Sequence, residues 1–448
     1  PAYMPVWPSR DHLLVMFRRE ARKIGLEALT RFNTEVNRVF LKGHQESTQR
    51  YYNVKYQDAR SEDAPEQDML AGAVITWPGN LCAHREVTFQ NEFAFGGYIA
   101  YASCNLCDYT QVSAKTVLLY GHGAFAIENV RTLAEYEAAK IWILCRRRNL
   151  TAPKMGSWLI SQTNEAASAP KLLQIFKPAY DLVGFDPWTA HSVIANAERT
   201  KARIATTTVF GVTDVYFIAC YYGKAEVVVG DVKRLSRHCV HLESGRKLEA
   251  ECVLKVCGIH GDPKVDRVLG ITEMVGLWVN GDAFRPCVAN GIGVNAQNFE
   301  SFSTGPGISG NSILIHYILD FPEDLTPLLE SLPACTAGER PAYDVSGQHS
   351  LTTHFISLAG CPGLGLRSAH LKPMKSAKQH AFHPLRIFME ECKREWQMYI
   401  EMFGHEFPDK PPPPYPYSEE SVLKFMEEIV EEGRAKAGEA WLRREQKG

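Results

Sequence analysis

One segment of about thirty residues constrains the fold of this chain more than any other. Thr116-Val117-Leu118-Leu119-Tyr120 is a continuous apolar, strand-forming run, followed at once by Gly121-His122-Gly123-Ala124-Phe125-Ala126. A helical pattern then extends through Leu133 and Ala139, and a second apolar strand, Ile141-Trp142-Ile143-Leu144-Cys145, ends in Arg146-Arg147-Arg148. Strand, glycine turn, helix and strand in this order predict a parallel βαβ unit that binds a dinucleotide. Gly121 permits the tight exit from the strand, and Gly123 lets the backbone approach a pyrophosphate. Ala126 stands where a third glycine would allow helix and strand to pack closely. The pyrophosphate is expected on the helix N-terminus, where free N–H groups and the positive end of the macrodipole meet it. Gly121, Gly123, Ala124, Phe125 and Ala126 are therefore the predicted cofactor contacts. The tip of the second strand decides between dinucleotides. An acid there suits a ribose 2′-hydroxyl, whereas Arg146 and Arg147 suit a 2′-phosphate, so NADPH is expected rather than NADH. His122, inside the loop, reads as a surface residue without a catalytic role.

Length and charge bound the rest. A chain of 448 residues holds two or three domains or one elaborated two-domain enzyme, and 45% hydrophobic with 22% charged residues excludes disorder, collagen and coiled coil for the whole. Forty-nine basic against 51 acidic residues leave a formal net charge of −2, which provides no footprint for nucleic acid or an anionic membrane. No run is apolar enough to span a bilayer: Val209 to Val229 is interrupted by Asp214, Lys224 and Glu226 and reads as paired strands. The 12 cysteines are scattered, and Cys104 and Cys107 have no second pair to complete a zinc tetrad. Reduced thiols, no metal and a reducing intracellular compartment are expected.

Before the glycine turn, Leu13, Leu14, Phe17, Ala21 and Ile24 repeat at helical spacing, with Gly25 placed for a left-handed cap. Strands are predicted in Thr30 to Phe40, Asn53 to Tyr56 and Ala73 to Thr76, around a polar loop at Asp58 to Glu66. Residues 150 to 200 read as a helical insert with Trp158, Phe176, Tyr180, Phe185 and Trp188 as packing anchors. Strands follow at Thr206 to Tyr222, Glu226 to Val229, Cys239 to Leu242 and Cys252 to Val256, the last two joined as a hairpin through Glu243 to Arg246. Gly305 to Gly310 matches the glycine pattern but follows a poor strand. Pro384 to Phe403 is an amphipathic helix, Pro408 to Tyr417 a polyproline spacer, and Ser418 caps a last helix with Val422, Phe425, Met426, Ile429 and Val430 on one stripe. Such an arm docks on its own body or on a protein partner.

Several of these pieces together resemble the class B flavin-dependent monooxygenases, the family of flavin-containing monooxygenases, N-hydroxylases and Baeyer-Villiger enzymes. The similarity spans residues 9 to 290. Ser9-Arg10-Asp11 and Arg31-Phe32-Asn33-Thr34-Glu35-Val36 look like the FAD-domain helix and the strand whose Val36 backbone meets adenine. Ile75 to Leu81, with Gly79 and Asn80, looks like the family's Ala-Thr-Gly element. Phe95-Gly96-Gly97-Tyr98-Ile99-Ala100-Tyr101 sits where the FxGxxxH fingerprint belongs. Lys255 to Gly258 and the pair Gly281-Asp282 look like the returning, flavin-contacting segment. Two departures stand out. Tyr101 replaces the fingerprint histidine, and no GxGxxG for the FAD pyrophosphate precedes Ser9.

The resemblance implies an α/β fold of two Rossmann-like domains, one FAD-type and incomplete at the N-terminus, one NADPH-type, with a helical insert and a C-terminal helical extension. The expected boundaries are 1–112 for part of the FAD domain, 113–255 for the NADPH domain with its insert at 150–200, 256–383 for the return to the FAD domain, and 384–448 for helices around the linker 408–417. A first strand lies in the middle of a doubly wound sheet, so a segment upstream of Pro1 is expected to supply it. The implied cofactors are NADPH and FAD, with FAD binding dependent on that upstream loop, and the implied reaction is oxygenation of a small nucleophilic or carbonyl substrate through a C4a-(hydro)peroxyflavin. Val36, Gly79, Asn80, Tyr101, Gly281 and Asp282 carry over as FAD-side contacts. No single catalytic acid or base is legible, nor is the substrate. The alternative is a catalytically inactive accessory subunit of a larger assembly, held by the 384–448 extension.

Overall fold

The computed structural model describes residues 10–42, 51–71, 83–103, 106–162, 167–204, 211–260, 268 and 385–445. The predicted strand at Ala73 to Thr76 and the glycine pattern at Gly305 to Gly310 lie outside the described residues. The chain divides into two compact units.

The first unit contains α1 (Arg10–Lys23), α2 (Leu26–Leu29), β1 (Thr34–Lys42), β2 (Tyr51–Asp58) and β3 (Gln67–Ala71). Gly25 lies between the helices at φ +69°, the left-handed conformation its position predicts. The strands form an antiparallel meander in the order β1-β2-β3. Val39 pairs with Val54, and these two side chains are its buried centre. Among the described residues this unit has antiparallel pairing only.

The second unit opens with β4 (Ala83–His84) and β5 (Tyr98–Tyr101), then β6 (Thr116–Tyr120), α3 (Ala124–Glu135), β7 (Lys140–Cys145), β8 (Thr151–Ala152), α4 (Lys154–Gln162) and α5 (Ala169–Asp181). It continues with β9 (Val193–Ala195), β10 (Ala202–Ile204), β11 (Gly211–Val212), α6 (Val215–Tyr222), β12 (Ala225–Val229), β13 (Val232–Ser236), β14 (Cys239–Leu242), β15 (Lys247–Glu249), β16 (Cys252–Lys255) and β17 (Ile259–His260). It ends with α7 (Leu385–Glu406) and α8 (Glu419–Glu445).

Its centre is a five-stranded sheet in the order β12-β7-β6-β16-β5, parallel throughout. The chain runs outward from β6 through α3 to β7 and on to β12, then returns to the other side of β6 as β16. Val117, Leu118, Leu119, Ile141, Ile143, Leu144, Val253 and Leu254 are all inaccessible, as parallel strands covered on both faces require. One face is covered by the antiparallel meander β13-β14-β15, whose Leu235, Val240, Leu242 and Leu248 join Leu118, Leu144, Val253, Phe89 and Phe95 in one cluster. Helices α3, α6 and α7 pack against one another elsewhere in the unit.

Two predicted elements differ. Val215 to Tyr222 is a buried helix, ended by Gly223 at φ +81°, not a strand. An all-apolar run has no periodicity, so pattern cannot tell a buried helix from a buried strand. The turn at Glu243 to Arg246 joins β14 to β15, and Cys252–Lys255 enters the parallel sheet instead of closing that hairpin.

The C-terminal arm docks on its own unit. Phe388, Met389, Cys392, Trp396, Tyr399 and Phe403 are buried along α7. The Trp396 indole N–H donates to the Pro413 carbonyl at 3.0 Å, which holds the polyproline spacer against α7, and Tyr417 reaches the Ile175 carbonyl at 2.8 Å. Two lysines of the body, Lys154 and Lys224, are buried and pair with Glu395 and Glu406 of the arm.

Candidate functional site

The strand order reverses between β6 and β16, and in open parallel sheets a ligand crevice forms at the carboxyl ends of the strands at that point. Here the two edges are Tyr120-Gly121-His122-Gly123 and Lys255-Val256-Cys257-Gly258. Val256 N–H donates to the Tyr120 carbonyl and Gly121 N–H to the Leu144 carbonyl, both at 2.9 Å. Gly121 has φ +139°, and a β-carbon there would lie 2.2 Å from the Val256 carbonyl oxygen, so only glycine fits. Gly123 is the N-cap of α3 and no side chain caps that helix start, which leaves the first-turn N–H groups at Ala124 to Ala126 for an anion. Ala126 is fully buried and would sit 3.5 Å from a β-carbon at Gly121.

The close helix–strand approach has a further contributor that the loop pattern does not contain. Gly211 of β11 faces α3, where a β-carbon would meet the Ala124 carbonyl at 2.9 Å and the Ile127 β-carbon at 3.0 Å. Asn129 fixes the same helix from another side: its amide donates to the carbonyls of Ala102 and Phe125 at 3.2 and 2.7 Å and accepts from the Tyr109 hydroxyl at 2.5 Å.

His122 is buried, which corrects the surface placement expected of it. The Asn149 N–H donates to its Nδ1 at 3.3 Å, so Nε2 carries the hydrogen and donates to the Tyr216 hydroxyl at 3.3 Å. Burial pushes the imidazole down to about 4, and the neutral ring is a strut beneath the loop.

At the tip of β7, Arg146 and Arg147 are exposed and Arg148 is half-buried. Arg147 and Arg148 line a cleft of about 540 Å³ together with Phe185, Thr189, His191 and Val229. Arg146 is not among its walls; its charge instead acts on Tyr120 and Cys257, at the reversal-point crevice. Burial pushes the Cys257 thiol up to about 11 in spite of that cation.

Tyr101, at the end of β5, is fully used in place. Its hydroxyl accepts from Val87 N–H at 2.8 Å and donates to the Val87 carbonyl at 3.0 Å, and its ring stacks on His84 at 3.8 Å. Lys255 is 3% exposed, lies 4.9 Å above the Tyr101 ring, and donates to the Val87 carbonyl at 2.7 Å and to Glu92 at 2.6 Å. Tyr101 and Lys255 thereby clamp the segment that precedes β5. Val36 lies on β1 of the first unit beside a bulge between Val36 and Arg38. Gly79, Asn80, Gly281 and Asp282 lie outside the described residues. Among the described residues no three His, Cys, Asp or Glu side chains are grouped to hold a metal ion, and no helix is long and apolar enough to cross a membrane.

No family model matches this chain, and no curated protein matches it. Solved structures do. Cyclohexanone monooxygenase from Rhodococcus sp. Phi1 bound to NADP+ is 12% identical over 80% of this chain and 84% of that chain, with a TM-score of 0.46. The chain is similar to class B flavin monooxygenases. An oxidized steroid monooxygenase bound to NADP is 13% identical over 70% of this chain and 73% of that chain, with a TM-score of 0.44. OTEMO in complex with FAD and NADP is 14% identical with a TM-score of 0.39, and the match spans 58% of either chain. These neighbours were solved with NADP, or with FAD and NADP, bound. At such identities and with TM-scores below 0.5 the likeness carries no weight for the chemistry, which rests on the residues of the crevice.

Proposed function

We propose that this chain is an NADPH-binding, flavin-dependent oxidoreductase of the monooxygenase kind, acting on a small nucleophilic or carbonyl substrate. The observation that carries the reading is Gly121: a residue at φ +139° in van der Waals contact with the opposite strand, at the reversal point of a parallel sheet and directly before an uncapped helix start. That arrangement fits a pyrophosphate. The N–H groups at Ala124, Phe125 and Ala126 would bind its oxygens, Gly123 would keep the approach clear, and arginines at the β7 tip would neutralise the 2′-phosphate. When bound, NADPH supplies a hydride and FAD activates oxygen. The residues of this chain orient the dinucleotide, and the Tyr101–Lys255 clamp holds the adjoining segment over the carboxyl end of β16.

In this reading the described meander of the first unit belongs to an FAD-type domain, with Val36, Gly79, Asn80, Gly281 and Asp282 on the flavin side and residues 113–255 as the NADPH domain. Tyr101 favours a second reading. Both hydrogen-bonding functions of its hydroxyl are spent on Val87, so a fingerprint side chain available to the cofactor is absent and the fold would serve as a non-catalytic subunit. Purified full-length chain separates the two. A flavin absorbance band and NADPH-dependent oxygen uptake support the enzyme; a colourless protein that binds NADPH without oxygen uptake, and that co-purifies in an assembly, supports the second.

A further inference from the structure

We propose that the C-terminal arm, residues 385–445, is a pH-operated clasp: it lifts from its own body as a unit, and it lifts more readily once Asp214 beneath it has lost a proton. The inference does not depend on the dinucleotide reading. Asp214 stands at the start of α6 and is 2% exposed. The groups that face it are Lys154 of α4 and, from the arm, Cys392 and Glu395 of α7 with Tyr415 and Tyr417 of the spacer. All but Lys154 leave when the arm lifts, and water takes their place.

Hydrogen bonding within this cluster is uneven. Glu395 takes the Lys154 ammonium and lies 3.4 Å from the Arg131 guanidinium. The Asp214 side chain receives the Lys154 backbone N–H on Oδ1 at 2.9 Å, while its Oδ2 and the Tyr415 hydroxyl are buried without a hydrogen-bond partner among the described residues. A carboxylate so placed has lost its water and gained little in return, whereas the neutral acid has no such deficit. Docking therefore favours the protonated form. Burial raises the carboxyl from 3.8 to about 6, with Lys154 opposing and Glu395 reinforcing, and lifting the arm returns it toward the ordinary value. The docked value is the higher one, so docking is strongest below about pH 4, weakens as pH rises to about 6 and is level above that. Cys392, Tyr415 and Tyr417 are all pushed up by burial and stay neutral throughout this range.

The clasp is closed most of the time. Phe388, Met389, Cys392, Trp396, Tyr399 and Phe403 are buried along α7, Phe388 stacks on Trp158 at 5.1 Å, and the Tyr399 hydroxyl donates to Glu135 of α3 at 2.8 Å. Lifting is thus a minority event within the native state, of the kind that amide hydrogen exchange counts.

Hydrogen exchange of the full chain, read by mass spectrometry and corrected for the intrinsic exchange rate at each pH, tests the proposal. Amides at 392–403 are expected to open through a lower-energy event than those of β6 and β7. Their opening is expected to rise about 50-fold between pH 4 and pH 7 and to level off beyond. Asp214→Asn keeps an acceptor for Lys154 and is expected to hold the arm at its acid-like opening at every pH, about 100-fold below wild type at pH 7. The wild-type profile stands without the variant. An opening at 392–403 that does not change with pH, or that keeps its pH dependence in Asp214→Asn, overturns the proposal. So does exchange at 392–403 that matches β6 and β7 at every pH, since the proton would then act on the whole fold and the arm would have no opening of its own.

Discussion

The carboxyl of Asp214 is placed where acid should stabilise this protein. It begins α6, is 2% exposed, and accepts the Lys154 N–H through Oδ1 at 2.9 Å, while Oδ2 has no hydrogen-bond partner among the described residues. Around it stand the Lys154 ammonium and, from the docked arm, Glu395, Cys392, Tyr415 and Tyr417. Burial pushes the carboxyl up from 3.8 to about 6, opposed by the Lys154 N–H and ammonium and reinforced by Glu395. At about 1.4 kcal/mol per unit, holding the charged form in the fold at neutral pH costs about 3 kcal/mol relative to the unfolded chain. Because the folded value is the higher one, that cost is present above about pH 6 and disappears as pH falls toward about 4. Asp214→Asn keeps an acceptor for Lys154 and removes the charge. It should raise unfolding free energy by about 2 to 3 kcal/mol near pH 8, with the gain vanishing near pH 4.5. His122 has the opposite sign: its folded value is depressed to about 4, so its contribution is complete above its unfolded value and is lost on acidification. The difference between wild type and Asp214→Asn removes that term. Urea unfolding of both proteins across this range measures it. A difference that is flat with pH, or larger in acid, refutes the reasoning.

Three other outcomes follow from the geometry. Gly121→Ala drives a β-carbon against the Val256 carbonyl and demands a φ that alanine does not adopt; it should destabilise by about 3 kcal/mol and abolish dinucleotide binding, seen together in melting and titration. Glu92→Gln leaves Lys255 buried beside a neutral partner and should cost about 3 kcal/mol in chemical unfolding at neutral pH, with the difference lost if Lys255→Met is added. Trp396→Ala removes a buried indole and its bond to Pro413; a loss of about 3 to 5 kcal/mol, with faster proteolysis in the 408–417 spacer, is expected.

The strand, glycine turn and helix around Gly121 were legible in the sequence because their constraints are local. Gly121, Ala126 and the two flanking strands lie within one βαβ unit, and the structure puts the tight turn where the glycine stands. What pattern cannot supply is contact across the chain. Lys255 finds Glu92 at a separation of 163 residues, Lys224 finds Glu406 at 182 and Lys154 finds Glu395 at 241, so three lysines are buried in pairs that no local pattern contains. Gly211 serves the same close packing as Ala126 but arrives from another strand. His122 is drawn inward by Tyr216, 94 residues away. Helix α6 shows no periodicity because every face of it is covered, and its type is fixed by packing. The arm at 385–445 reads correctly as two helices around a polyproline spacer, whereas its docking on its own body is set by Trp396, Tyr417 and the paired lysines.

The central claim is that the crevice between β6 and β16 takes the pyrophosphate of NADPH. Equilibrium titration of the full chain with NADPH and with NADH, followed by nicotinamide fluorescence, tests it most directly. Saturable binding of both, with NADPH at least about tenfold tighter, is the predicted result. A folded chain that saturates with neither would contradict it.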